Sequence, residues 1–440
     1  MTLLLLALAV DYANTALIGA LGPTLERVFH FNNGQLVLLA AASGIVGTIA
    51  TIPIGILTDR VKRTRVLAIS LMPWAVAMVA TGAAISFVML FGARLLLGAV
   101  AATTGPAVPS LTGDLVPADK RARALGFISS GQLIGTGLGF VLAAVVTAFL
   151  SFRWCFWLLA IAGAVLALAF WRAREPARTG AAGGPDAAQQ GGRVQELVRA
   201  KGIEPSGRAL LKEDPARMSM WDAARYVLRV RTDVIVLISR IVGDFFFAAI
   251  GTFAVIFAIK QYGLSQREAD LVILVLGVGA LSGVLLVGRA ADALLRRGRL
   301  NSRLWLGAGA YIIAPFPLLP AFLTHSLWVA LPLITVGAFF VAGAGPPLDA
   351  VRVDVLVPRL RGRAEAIRQV LRTAAEGGAP LIVGILSGRL AGGGTAGLQL
   401  ALIITLPTLL ASGLILLIAL RVYQRDVAAA LASTERVTSD

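Results

Sequence analysis

The 440-residue chain is 57% hydrophobic and only 15% charged, with a mean hydropathy of +0.82; soluble domains carry about 25% charged residues, so a soluble globular protein is excluded. The formal net charge of +16 would suit a nucleic-acid partner on a soluble surface, but here the basic residues crowd particular loops between apolar runs. Cys155 is the single cysteine, which excludes an internal disulfide and a thiolate metal cluster.

Stretches of about 20 apolar residues predict twelve spans, at 3–24, 35–57, 66–86, 88–113, 124–149, 153–171, 232–259, 270–291, 304–323, 327–350, 365–388 and 398–420. Each must be helical, because an unpaired backbone group in hydrocarbon has no water to bond. The first run lacks the basic n-region and small-residue cleavage site of a signal peptide, so it is read as the first span. Lys and Arg alternate sides: Arg60, Lys62, Arg63 and Arg65, then Lys120, Arg121 and Arg123, then Arg296, Arg297, Arg299 and Arg303, then Arg359, Arg361 and Arg363. The opposite loops hold little beyond Arg27, Arg153 and Arg267. This positive-inside bias predicts a multi-pass protein of the cell membrane with both termini in the cytoplasm. The basic balance therefore reports topology, and no nucleic-acid partner is expected.

Residues 1–171 form an N-terminal six-helix bundle, 172–231 a cytoplasmic linker that is partly helical, 232–421 a C-terminal bundle and 422–440 a cytoplasmic tail. The linker holds a Gly/Ala/Gln-rich run from Thr179 to Gly192, flexible by composition. Val194–Leu211 and Trp221–Val230 carry apolar residues at helical spacing. Such segments suit an inner-leaflet surface, although a mobile tether between two bundles is the favoured reading.

The two halves repeat each other. Gly55-x-x-x-Asp59-Arg60-x-Lys62-Arg63 returns as Gly288-x-x-x-Asp292 followed by Arg296 and Arg297; Asp114-x-x-Pro117 returns as Asp354-x-x-x-Pro358; Gly105-Pro106 returns as Gly345-Pro346. The doubled Gly-x-x-x-Asp loop resembles the loop between the second and third helices of the major facilitator superfamily. The resemblance implies an all-α membrane protein, twelve transmembrane helices in two six-helix repeats, with a cavity between them. It also implies a latch in which Asp59 meets the positive N-terminus of helix eleven and the neighbouring arginines pair with an acid at the inner end of helix four, here Asp114. Gly55, Asp59, Arg60, Arg63, Asp114 and Asp292 are the latch candidates, expected to stabilise the outward-facing state; a purely topogenic positive cluster is the alternative. Pro106, Pro109 and Pro346 lack an amide donor and suit helix kinks at the cavity, unless they are merely tolerated, as membrane helices tolerate proline.

Buried charges mark the remaining candidates. Asp11 lies mid-span with Tyr12 and Asn14 beside it, and low-dielectric surroundings favour the neutral form of a carboxylate, which suits proton carriage. Arg94-x-x-x-Gly98, followed by Ala101 and Ala102, resembles the arginine motif of proton-driven efflux members; the alternative is an anchor near the outer surface. Arg240 with Asp244, and Arg372 with Glu376, stand four apart on their helices, within ion-pair reach on one face. Each pair is read as a proton- or substrate-sensitive switch, against a self-neutralised structural pair. Span five carries Gly126, Gly131, Gly135, Gly137 and Gly139, a row that permits close helix approach. Phe245, Phe246, Phe247, Phe253 and Phe257 are candidates for an apolar cavity wall or a lipid-facing surface.

Residues 11–176 resemble the spinster branch of the superfamily, through Ala16–Pro23, Gly55–Arg60, Arg94 with Pro109–Asp114, and Arg174-Glu175-Pro176. That branch implies lysophospholipid or sphingosine-phosphate-like substrates. The family's helix-one Asp-Arg pair falls on Asn14 and Thr15, with Asp11 the displaced acid, and its helix-four Glu falls on Ala101. The resulting expectation is a proton-coupled, alternating-access secondary transporter of amphipathic, lysolipid-like molecules, acting as a monomer in the lipid bilayer. The rivals are a proton-driven multidrug efflux antiporter and a non-transporting membrane scaffold or sensor. His30 and His325 fall in predicted outer loops, so no metal is expected. The chain lacks G-x-x-x-x-G-K-[ST], no cofactor is implied, and no enzyme is expected.

Overall fold

The computed structural model describes residues 1–29, 33–101, 103–175, 193–211, 215, 218–390 and 394–439. The linker run Thr179–Gly192, His30, Ala102 and the side chain of Glu376 lie outside the described residues. The described secondary structure is helical throughout: α1 Thr2–Phe29, α2 Asn33–Arg60, α3 Arg63–Ala83, α4 Phe87–Ala101, α5 Thr104–Leu115, α6 Arg121–Phe149, α7 Arg153–Arg172, α8 Arg193–Ala200 and α9 Met220–Arg229. The second half follows with α10 Arg231–Tyr262, α11 Gln266–Arg296, α12 Ser302–Ile313, α13 Pro315–Leu323, α14 Leu327–Gly343, α15 Gly345–Val355, α16 Arg361–Arg389, α17 Gly394–Ala419 and α18 Tyr423–Ser439. Among the described residues eleven stretches are long and apolar enough to cross a membrane. The remaining expected span, 35–57, falls within α2.

Three spans are built from two helices each: α4 with α5, α12 with α13, and α14 with α15. Proline explains the breaks, since it has no N–H to donate and its ring crowds the preceding turn. Pro346 and Pro347 open α15, Pro315 opens α13, and Pro106 lies in the first turn of α5. Pro109 sits inside α5 and ends no helix, so it is not a break point. The Pro315 break was not expected.

The bundles share a pairing scheme. Span two packs on span four (α2 with α4), as span eight packs on span ten (α11 with α14). Span three packs on span six (α3 with α7), as span nine packs on span twelve (α12 with α17). Small residues permit the closest approaches: a Cβ on Gly139 of α6 would lie 2.5 Å from the Ala13 carbonyl of α1, and one on Gly279 of α11 would lie 2.5 Å from the Thr335 carbonyl of α14. Such contacts rest on packing between backbones, which is how helices adhere in lipid. The halves meet along two seams, α2 against α16 and α6 against α11. Outside the bundles, α8, α9 and α18 carry Val194, Val198, Tyr226, Val227, Tyr423 and Val427 into the core of the second half.

Candidate functional site

At the end of the bundle that bears α8, α9 and α18, each seam is closed by a carboxylate from one half seated on a helix N-terminus of the other. Helix α16 begins after Leu360, which offers no side-chain cap. Asp59 supplies it from α2, accepting from the Gly362 amide at 2.8 Å and the Arg363 amide at 3.0 Å, with Arg363 Nε at 3.5 Å. Helix α6 likewise follows Lys120 without a side-chain cap. Asp292 from α11 accepts from the Ala122 amide at 3.3 Å and the Arg123 amide at 2.7 Å. These amides are the orphan donors of a first turn, where the helix dipole also favours negative charge.

The glycine four residues earlier has a definite task. A Cβ on Gly55 would lie 2.8 Å from the Ala366 Cβ and 2.9 Å from the Gly362 carbonyl; one on Gly288 would lie 2.7 Å from the Ala122 carbonyl. The Gly-x-x-x-Asp spacing therefore lets two helices nearly touch and brings the acid, one turn later, onto the amides.

Behind each cap stands a buried charge chain. Arg63 pairs with Asp114 and, through Nε, with Glu175 at 2.9 Å, while Arg361 reaches Asp114 from the other half at 3.2 Å. In the second chain Arg303 pairs with Asp354 and, at 2.8 Å, with Asp292, while Arg121 reaches Asp354 across the seam at 2.7 Å. Arg303 also donates to the Ala118 carbonyl. Arg63 and Asp114 are each only 1% exposed and Arg303 not at all, so losing one partner strands a charge in low dielectric. Arg60 is exposed and forms no ion pair among the described residues. Latch residues that sequence reasoning missed are Arg121, Arg303, Asp354, Arg361 and Glu175.

Away from the latches the structure gathers two further sets of charges, one within the first half and one in the second. In the first half Arg94 is buried and donates to Asn14 Oδ1 at 2.8 Å, with Asp11 in electrostatic range. Asp11, Asn14 and Arg94 thus form one cluster, and the Arg94 Nε has no hydrogen-bond partner among the described residues. In the second half Arg240 lies 4.0 Å from Asp244 and donates to the Tyr311 hydroxyl at 3.5 Å. Arg372 reaches across to Asp244 on α10 at 3.4 Å; its expected partner on the same helix, Glu376, has its side chain outside the described residues.

A cavity of about 140 Å³ is lined by Gln132, Arg240, Asp244, Tyr311, Asp349, Arg368 and Arg372 among others. A neighbouring one of about 90 Å³ shares Gln132, Asp349 and Arg368 and adds Arg352 and Glu365. Arg352 bonds Asp233 and Glu365, both at 2.8 Å, and Glu365 also holds Arg368. The larger of the two has three arginines against two carboxylates in its lining. Sequence reasoning passed over Asp349, Arg352, Glu365 and Arg368. Their signal was a three- and four-residue spacing of charges, Asp349/Arg352 and Glu365/Arg368/Arg372, which places each set on one helical face. Of the phenylalanine run, Phe247 lines the cavity, whereas Phe246 and Phe257 pack in the core of the second half.

This is the architecture of an alternating-access carrier: two pseudo-equivalent bundles, a charged cavity between them and paired latches at one end. A sequence model of the Major Facilitator Superfamily matches residues 3–380, and the chain belongs to that superfamily. It is a multi-pass membrane protein. It is 25% identical over 303 residues to a D-galactonate transporter of Escherichia coli O6:H1, spanning 66% of this chain and 65% of that protein, just under two thirds of its length. It is 24% identical over 400 residues to protein spinster homolog 3 of Mus musculus, spanning 86% of this chain and 72% of that one. Its fold is similar to the proton:xylose symporter XylE bound to 6-bromo-6-deoxy-D-glucose, with a TM-score of 0.72 at 16% identity, covering 94% and 93% of the two chains.

Proposed function

We propose that the protein carries small hydroxylated organic anions, with Arg240, Arg368 and Arg372 as the carboxylate anchor and Gln132 and Tyr311 as partners for hydroxyl groups. The observation that carries this reading is the cavity lining: three arginines against two carboxylates, in pockets of about 140 and 90 Å³. Arginine suits a carboxylate because its planar fork donates two parallel hydrogen bonds. The similarity to a D-galactonate transporter supports the same class.

Coupling follows from Asp244. While charged it holds Arg372 at 3.4 Å and faces Arg240 at 4.0 Å. A proton on Asp244 releases both cations for the substrate carboxylate, and the reciprocal linkage makes substrate binding and proton binding favour one another. Asp11 beside Arg94 offers a second proton site of the same construction. The clustering of Lys and Arg at the latch end supports a cytoplasmic orientation for that end and for both termini in a cell membrane. Closed latches there leave the cavity to be reached from the opposite side.

The second reading, a lysolipid-like substrate, is favoured by the similarity to a spinster homologue over 86% of the chain. Its headgroup phosphate would suit the same arginines, but an acyl chain would need apolar volume that this charged lining does not offer. Gly131, Gly135 and Gly139 of α6 are used in packing on α1 and Gly126 in packing on α11, which removes one support for drug efflux, and a scaffold has no need of cavity charges linked across helices. Thermal unfolding of the purified protein separates the readings, because a ligand of the folded state raises stability by RT ln(1 + [L]/Kd). D-galactonate or a related sugar acid should raise the midpoint, and the rise should vanish in Arg372→Ala. Stabilisation by lysophosphatidylglycerol alone would select the second reading.

A further inference from the structure

A cavity of about 650 Å³ lies outside the two bundles, where residues 207–211 and α9 meet the start of α10. Helix α9 buries Ala223, Tyr226 and Val227 against the second half, and the Tyr226 hydroxyl donates to the Ala209 carbonyl at 3.2 Å, so the groove is held in shape from below. Its outward face is of mixed character. Of the lining residues, Leu228 is 59% exposed and Arg225 and Arg229 are exposed beside it; Trp221, outside the lining but one turn before Arg225 on the same helical face, is 79% exposed. Arg208 and Arg231 complete the lining. Among the described residues of the lining the carboxylate is Asp222, engaged by the Ser219 hydroxyl at 2.5 Å.

Position defines the occupant. Only Val230 separates α9 from α10, the first span of the second half, so the groove sits at the depth of the lipid headgroups. Exposed tryptophan and leucine next to four arginines at that depth match a lipid with an apolar body and an anionic head. We propose that this groove is a binding site for the headgroup of an anionic glycerophospholipid, with Arg208, Arg225, Arg229 and Arg231 around the phosphate and Trp221 and Leu228 at the upper acyl chain. A soluble anion would use the arginines alone and leave the tryptophan and leucine in water.

The test uses full-length protein carrying Cys155→Ser and Ala224→Cys, labelled at 224 with an environment-sensitive fluorophore, in nanodiscs of phosphatidylcholine with rising phosphatidylglycerol. The label should move to a less polar environment as phosphatidylglycerol increases. The half-saturating fraction should rise roughly fivefold for each of Arg225→Gln and Arg229→Gln, the worth of one basic residue at an anionic surface. Trp221→Ala should reduce the spectral shift in the same discs. A response that is the same in pure phosphatidylcholine, or that the glutamine variants leave unchanged, overturns the proposal. So does tight binding of inorganic phosphate alone, in detergent, that needs the same arginines while phosphatidylglycerol leaves the label unmoved. Substrate flux is not part of the readout, so the outcome is independent of what the cavity carries.

Discussion

Replacing Asp59 with alanine removes the cap that α2 lends to α16, and the size of the effect follows from the bonds that Asp59 makes. Two amide hydrogen bonds to a charged acceptor, at 2.8 and 3.0 Å, disappear together with the Arg363 contact at 3.5 Å. Bonds to charged groups contribute about 1.5–3 kcal/mol each, but in the latch-open state water hydrates the same amides and carboxylate. A net bias of about 2–3 kcal/mol toward the closed latch follows, which is a shift of roughly 30- to 150-fold in the closed/open ratio when it is lost. Spin labels at Lys62 of the first half and Arg297 of the second, both exposed, introduced as cysteines with Cys155→Ser, report that ratio as a distance distribution. Asp59→Ala should move most of the population to a longer distance at the latch end. Asp292→Ala should do at least as much, because it also takes a partner 2.8 Å away from the fully buried Arg303. Distributions that coincide with the parent protein in both variants would refute the latch.

Other substitutions address the cavity, the acid response and the packing. Asp244→Asn should leave the protein folded yet slow gradient-driven uptake about tenfold or more and flatten its pH dependence, the loss expected when a positioned proton carrier is removed; unchanged rates and pH profile would remove Asp244 from the mechanism. Burial pushes the Glu175 carboxyl up, but bonds from the Thr64 amide, Arg63 and the Thr64 hydroxyl together hold it below the ordinary glutamate range. Such a group contributes stability above its unfolded pKa and loses it as pH falls through the lowered value. Glu175→Gln should therefore be less stable than the parent near pH 7, with the difference closing as the pH falls below the ordinary glutamate range; a constant difference from neutral to acid pH would show no linkage. Gly139→Val, whose Cβ would meet the Ala13 carbonyl at 2.5 Å and the Ala16 Cβ at 2.8 Å, should cost about 1–3 kcal/mol through overpacking and lower the unfolding midpoint. Gly137→Val, at a position with open space, is the control.

What could be read before the fold was known follows from what sequence can encode. Spans and latch acids were legible because hydrophobic length and the Gly-x-x-x-Asp spacing act locally: glycine permits the crossing and aspartate lies one turn on. The acids' partners were not, since Gly362 and Ala122 contribute only backbone amides, which no side chain advertises. Arg303 lies eleven residues past Asp292 and passed for a positive-inside residue. The same explanation absorbed Arg361, which turns inward to Asp114, while Arg352 and Arg368, which also turn inward to carboxylates, were passed over. Helical spacing offers only partners on the same helix, so the contact of Arg372 with Asp244 on α10, more than a hundred residues away in the chain, was not legible. Of the helix breaks, the two Gly-Pro pairs were visible as repeats, but the break at Ala314-Pro315 has no counterpart to draw attention to it.

Transport itself tests the account most directly. The purified protein is reconstituted in liposomes, and uptake of radiolabelled D-galactonate is followed with and without an imposed pH gradient, for the parent protein and for Arg372→Ala. The account predicts protein-dependent uptake that the gradient accelerates and that Arg372→Ala abolishes. Folded protein that moves no sugar acid while moving a fluorescent lysophospholipid would contradict the anion reading of the cavity.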